Sequence, residues 1–282
     1  MKVQIVTHTG SDLPLEEAQK LGVAVVPDIV MFGETEYNNM FDLSAEEFFD
    51  KLRTAGELPT SSHPTVGDMS RVFVEKSLMV EEILFLAVTS KMSGSFAAAE
   101  TARDMAIKQG ARAKIYVYDT MQCSHAMAEM VREAQRLANE GRSATEIISQ
   151  LDEYRHKMGQ YFILDTLQYA RKGGRVGAIK ALAADTMKIK PLLVFDDGLV
   201  RDIGIAKNFD DGLDKVLEKY KAEADFTKPI TIFHLDALDK AQKLASMVRD
   251  INPTVETRIG YVGPVIAIYA GPGGAGLSFV KK

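Results

Sequence analysis

The sequence predicts an α/β protein in two domains, and three observations predict it. Strand-length apolar runs alternate with helix-length amphipathic ones through the first 158 residues. The run Glu82 to Val88 is apolar and of strand length, as in a strand buried on both faces of a parallel sheet. Beyond about residue 158 the pattern changes, and the turn Asp196-Asp197-Gly198 between two apolar runs marks a hairpin. The expectation is therefore an N-terminal domain over residues 1–158, a mainly parallel sheet covered by helices, and a C-terminal α+β domain over 159–282.

In chain order, Val3 to Thr7 reads as the first strand, followed by a loop and a helix over about 14–21 that Gly22 stops. Val23 to Met31 is β-branched and reads as a strand, with Pro27 marking an edge or a break. Ser44-Ala45-Glu46-Glu47 is a capping box, and Phe48, Phe49 and Leu52 follow at helical spacing until Gly56. Pro59 to Thr65 reads as an ordered loop, because each proline fixes the backbone and holds its predecessor out of the helical region. A helix is expected from Thr65 to about Met79, the strand Glu82–Val88 next, and then a helix from Ser95 to Gly110. Lys114 to Tyr118 is a strand, and helices follow at about 124–140 and 144–158, the second opened by the box Ser143 to Glu146. In the second domain the expectations are Tyr161 to Leu164, a helix through Ala184, the hairpin Lys188–Phe195 with Leu199–Ala206, a helix near 208–224, the strand Ile230–His234, a helix near 237–250 and closing strands. No internal repeat or long linker is visible, so the two domains are expected to pack closely.

Composition narrows the function classes. Thirty-four Lys and Arg stand against 39 Asp and Glu, a net charge of −5, which leaves no basic surplus for a nucleic-acid backbone. The N-terminus reaches polar Thr7 and His8 too early for a signal peptide, and no run approaches the roughly 20 apolar residues of a membrane span. A single cysteine, Cys123, excludes an internal disulfide and a cysteine-rich metal site. The expectation is a cytoplasmic protein without metal or cofactor, open only to transient contact with a membrane surface.

Several residues could carry chemistry. Ser93 and Gly94 follow the carboxyl end of a buried strand and precede a helix, where open α/β sheets collect ligands; the Ser93 hydroxyl and the amides of Gly94 and Ser95 suit an anion, or Ser93 is an ordinary helix cap. Thr60, Ser61 and Ser62, fenced by Pro59 and Pro64, read either as an anion seat or as a turn whose hydroxyls face water. Arg171-Lys172-Gly173-Gly174-Arg175 packs three cations around two glycines, a loop able to bind phosphate or a solvated turn. Gly263 to Gly273 either lets main chain approach a ligand with Tyr269 pointing inward, or is a tight bend with a core tyrosine. No nucleophile elbow surrounds Ser61, Ser62 or Ser93, and the histidines 8, 63, 125, 156 and 234 show no metal spacing.

Five stretches in order, Thr7 to Pro14, Pro59 to Thr65, Ser90 to Ser95, Leu167 to Arg175 and Gly263 to Gly273, resemble the DegV family of bacterial fatty-acid-binding proteins, over essentially the whole chain. The resemblance implies a two-domain protein that buries one fatty acid between its domains and presents the carboxylate to a separate fatty acid kinase. Such a protein is a carrier with no catalytic residues of its own. Carried over by position, the carboxylate contacts fall on Ser61, with Ser62 beside it, and on Ser93 and Gly94. Lys172 and Arg175 match the family's Lys-Gly-Gly-Arg turn and, with Arg201, would face the kinase or the phosphate.

Three positions depart from the family pattern. His8 stands in Thr7-His8-Thr9 where Thr-Asp-Ser is usual, His63 stands where Gln is usual, and Tyr269 stands where a histidine usually partners the carboxylate. A phenol can donate a hydrogen bond but adds no positive charge. A long acyl chain gains on the order of 10 kcal/mol from burial, at about 0.8 kcal/mol per methylene, and an unpartnered carboxylate would cancel that gain. Two alternatives stand beside the carrier: a serine-dependent hydrolase or acyltransferase on a small ester, motivated by the serines with His8 and His63, and a divergent binder of another amphipathic acid.

Overall fold

A computed structural model describes residues 2–174 and 190–282. The chain forms two compact units, Met1–Leu43 with Ser61–His156, and Ser44–Thr60 with Lys157–Lys282.

The first unit is built on a parallel sheet of β1 (Val3–His8), β2 (Ala24–Val26), β6 (Glu82–Ala87) and β7 (Lys114–Asp119), in the order β2-β1-β6-β7. Its register sets Val6 opposite Ala24 and Phe85 opposite Val117. On one face Val6, Ile83, Phe85 and Ile115 pack with α3 (Val66–Lys76) and α4 (Ser95–Lys108), whose Phe73, Ala99 and Ala102 are fully buried. Alternation turns Ile5, Leu84 and Leu86 to the other face, where α5 (Ser124–Asn139) contacts β1 and α6 (Ala144–Tyr154) contacts β6. A strand covered on both faces has no place for a polar side chain, which is why Ile83 to Val88 reads as unbroken apolar sequence.

The Val23–Met31 stretch divides at Pro27 and Asp28. β2 stays in the parallel sheet, whereas β3 (Ile29–Phe32) turns back through Gly33 onto β4 (Thr35–Asn38). A small second sheet, β4-β3-β5, takes Thr60–Ser62 as β5. The expected loop at Pro59 to Thr65 is thus partly a strand: a proline just before β5 and another soon after it leave three residues free to pair with β3.

The second unit carries a six-stranded sheet in the order β10-β9-β8-β13-β11-β12, with β8 (Met158–Ile163), β9 (Lys190–Asp196), β10 (Leu199–Ala206), β11 (Ile230–His234), β12 (Thr257–Tyr261) and β13 (Ala275–Val280). All its pairings are antiparallel except β11 with β12. The predicted hairpin turn Asp196-Asp197-Gly198 is two residues long: Asp196 ends β9 opposite Leu199, and Asp197 and Gly198 both take the positive φ that such a turn requires. Helices α8 (Phe209–Glu223) and α9 (Leu238–Ile251) bury Leu213, Val216, Leu244 and Val248 against Ile163, Ile232 and Leu277.

Two corrections to the sequence reading follow. Residues 44–60, expected in the first domain, group with the second unit, and the division falls between His156 and Lys157 instead of after 158. The helix α2 (Ala45–Thr54), opened by the expected Ser44/Glu47 capping box, buries Phe48, Phe49 and Leu52, each contributing roughly 1.5–3 kcal/mol. It contacts α10 (Pro264–Ala270), and Arg53 Nη2 lies 2.6 Å from Asp236 Oδ2 just beyond β11. The second correction is α10 itself: Pro264, read as part of a bend, is the first residue of a helix, where its missing N–H costs nothing. The helix expected through Ala184 lies outside the described residues.

Candidate functional site

Ser93 and Gly94 sit at the carboxyl end of β6, on a loop that several backbone bonds hold in place. The Thr89 amide donates to the Gln122 carbonyl at 2.9 Å, and the Met92 and Ser93 amides both donate to the Thr89 carbonyl. From the end of β7, Asp119 accepts from the Ser90 amide at 3.2 Å and the Met121 amide at 2.9 Å, tying the loop to the next strand. The Ser93 hydroxyl oxygen accepts from the Ser95 amide at 3.1 Å, so it does cap α4, while Gly94 occupies the formal cap position. Capping uses a lone pair and leaves the Ser93 O–H free to donate.

The chain leaving β5 (Thr60–Ser62) comes to the same place through His63. Ser61 is half-buried and Ser62 exposed, and the ring of the adjoining His63 lies against Gly94: a Cβ on Gly94 would stand 3.2 Å from its Cδ2 and 3.3 Å from its Nε2. A larger residue at 94 would have to displace that ring. Thr65 caps α3 by accepting from the Asp68 amide at 3.0 Å.

His8, which as a residue following an apolar strand suits either a site or a packed position, is buried and paired at the end of β1. Its Nδ1 contacts both oxygens of Asp28, at 2.9 and 2.8 Å, and its Nε2 accepts the Val88 amide at 3.0 Å. An amide can only donate, so the ring carries its proton on Nδ1. Asp28 also accepts from the Thr9 hydroxyl and the Gly10 amide, each at 2.8 Å, and its own amide donates to Thr9 Oγ1 at 2.9 Å. The acid missing from Thr7-His8-Thr9 is thus supplied by Asp28. With both ring nitrogens engaged, His8 is not placed to activate a serine, which removes one of the two histidines behind the hydrolase alternative.

Tyr269 and the cations belong to the second unit. Tyr269 on α10 is half-buried with its ring on Gly173 of α7 (Gln168–Gly173), where a Cβ would come within 2.8 Å of Cε1. Reciprocally, Gly271 after α10 has φ +70 and takes the ring of Tyr169 from α7 against the space a side chain would fill. Lys172 is exposed at the end of α7, Arg201 pairs with Asp196 at 3.2 Å beside the β9–β10 turn, and Arg175 lies outside the described residues. Lys190 donates to Asp165 at 2.6 Å, and Lys240 donates to the Gly273 carbonyl at 2.9 Å while its Nζ stands 3.7 Å over the Phe209 ring. Burial pushes the Lys240 ammonium below the ordinary lysine range, against the pull of Asp165 and Asp239. His234, buried at the end of β11, is likewise pushed below the usual imidazole range by burial, with Asp236 and Asp239 opposing.

Among the described residues no group of His, Cys, Asp and Glu is arranged to hold a metal ion, and no helix is long and apolar enough to cross a membrane. A sequence model of the family described as "Uncharacterised protein, DegV family" matches residues 2–282. The chain belongs to the DegV family. It is 33% identical to a DegV domain-containing protein of Halalkalibacterium halodurans, over all of this chain and 99% of that one. A solved structure described as showing fatty acid binding of a DegV family protein from Thermus thermophilus superposes with a TM-score of 0.90 at 28% identity, covering both chains completely. The Streptococcus pneumoniae fatty acid kinase (Fak) B3 protein loaded with linoleic acid shares the fold, with a TM-score of 0.85 at 18% identity and complete coverage of both chains.

In this DegV protein the structure brings Gly94, next to Ser93, against His63, the residue after Ser61 and Ser62, and it sets Tyr269, Lys172 and Arg201 in the other unit. Asp28, Asp119 and Lys240 were missed from sequence. Asp28 had left one signal, a lone charge inside the apolar run Val23 to Met31. Asp119 and Lys240 act through tertiary contacts and left none.

Proposed function

We propose that this DegV protein is a non-enzymatic carrier that binds one long-chain fatty acid, takes its carboxylate at Ser61, Ser62, Ser93 and Gly94, and presents it to a separate fatty acid kinase. The observation that carries this reading is the meeting of two hydroxyl-bearing segments at the start of α4, where the His63 ring closes on Gly94. Hydroxyl donors and backbone N–H groups at a helix N-terminus suit an anion, and a carboxylate leaving water needs such donors. The fatty-acid binding described for the Thermus thermophilus relative supports the ligand class.

Tyr269 as a further ligand contact, and Lys172, Arg175 and Arg201 as groups facing the kinase or the phosphate, belong to the proposal on the family resemblance alone. The kinase partnership has the same footing, joined by the shared fold of the Fak B3 protein. The cytoplasm is where a carrier serving such a kinase would work. Native mass spectrometry of freshly purified protein tests the reading: one added acyl-chain mass is expected, and protein that is uniformly ligand-free and takes up no fatty acid of any length overturns it.

A further inference from the structure

The imidazole of His63 is defined on both of its edges. Its Nδ1 is 2.9 Å from the carbonyl oxygen of Pro64, and its opposite edge, Nε2 and Cδ2, lies against Gly94. A carbonyl can only accept, so the ring's first proton is on Nδ1. Nε2 therefore offers a lone pair when the ring is neutral and an N–H only when it is cationic. The same small region holds the start of α4 and the hydroxyl of Ser95, which is 0% exposed and has no hydrogen-bond partner among the described residues. A carboxylate seated beside Nε2 meets a lone pair unless a proton comes with it. Either the ring takes up that proton, or the acid arrives as a carboxylic acid and donates its own O–H.

We propose that His63 is a head-group residue of the fatty-acid site and that loading takes up one proton, shared between the acid and Nε2. The inference rests on the fatty-acid reading above and says which form of the acid the site selects. A proton held only in the complex makes loading strongest at low pH. Affinity then falls as pH rises through the neutral range, by up to tenfold per unit where a whole proton is taken up. The charged side chains on the two helices that start beside Pro64 and Gly94 are Asp68, Arg71, Glu75 and Lys76 on α3 and Glu100, Arg103, Asp104 and Lys108 on α4, with Lys91 in the loop before α4. Asp68 is paired with Arg71, and none of these side-chain types ordinarily titrates in that range.

Calorimetric titration of the full chain with oleate, kept monomeric by cyclodextrin, counts the proton when run at pH 7.5 in two buffers of different ionisation enthalpy. The expected uptake approaches one proton for the natural chain and is near zero for His63→Gln, whose affinity becomes flat between pH 7 and 8. Unchanged uptake in His63→Gln overturns the role of His63. Zero uptake by the natural chain does so too, whether or not the variant folds. Failure to bind oleate or any other fatty acid at every pH is a different result and sinks the fatty-acid reading itself.

Discussion

The Nδ1–H of His8 meets both carboxylate oxygens of Asp28, and the far nitrogen of the same ring receives the Val88 amide. Three segments, the end of β1, the break between β2 and β3, and the residue after β6, are thereby joined through one buried imidazole. A histidine at position 8 looks like a titratable base brought to a ligand site. In the fold it is half of an internal pair, and the histidine that lies beside Gly94 is His63.

Asp28 is 3% exposed and accepts from three neighbours, so Asp28→Ala strands donors away from water and should cost about 3–5 kcal/mol. His8→Asp, which restores a Thr-Asp beginning, sets a second carboxylate against Asp28 and should cost more than His8→Asn, which keeps a donor there. Urea unfolding at pH 7.5 reads both comparisons.

Ser93→Ala removes the cap bond to the Ser95 amide but leaves Gly94 and the Thr89 anchors in place, so stability should drop by about 1 kcal/mol or less. Loss of one hydrogen bond to a charged group should weaken fatty-acid binding by about 1.5–3 kcal/mol, roughly 10- to 150-fold. Competition binding with a fluorescent fatty acid measures it, and unchanged affinity would remove Ser93 from the site.

Gly173→Ala drives a methyl group into the Tyr269 ring and should destabilise the protein by about 1–3 kcal/mol. Tyr269→Ala alone loses packing, yet it relieves the clash, so the double variant should be more stable than the sum of the two single losses predicts. Thermal unfolding of the four proteins closes the cycle, and strict additivity would mean that the contact carries no strain.

Burial lowers the His234 pKa from 6.5, so the folded protein binds that proton less readily than the unfolded chain. Its stabilising contribution is complete above about pH 6.5 and is lost as pH falls through the lowered value. His234→Asn keeps an acceptor for the Ala237 amide, which lies 3.3 Å from Nδ1, and should flatten the stability profile between pH 5 and 7 relative to the natural chain. Parallel profiles in urea would show that other groups set the slope.

The parts of the fold that sequence exposed were those with a local cause. Strands buried on both faces spell unbroken apolar runs, the boxes at Ser44 and Ser143 announce α2 and α6, and Asp197-Gly198 fixes a hairpin by its φ requirement. β5 was hidden because three hydroxyl residues show no strand pattern, and their pairing depends on β3. α10 was hidden by its glycine and proline flanks. In the candidate site, Ser93 and Gly94 were legible from their position between a buried strand and a helix. The His63–Gly94 contact was not, since it joins residues from separate elements.

Arg53 and Asp236 are 183 residues apart, and α10 follows α2 by about 200. At ordinary rates of synthesis an emerging α2 waits roughly 10–40 s for those partners, with Phe48, Phe49 and Leu52 uncovered. A fragment beginning at Lys157 would lack α2 altogether, and one ending at His156 would carry it with nothing to cover it. The aromatic stripe of α2 is therefore among the last surfaces of the second unit to be covered as the chain is made.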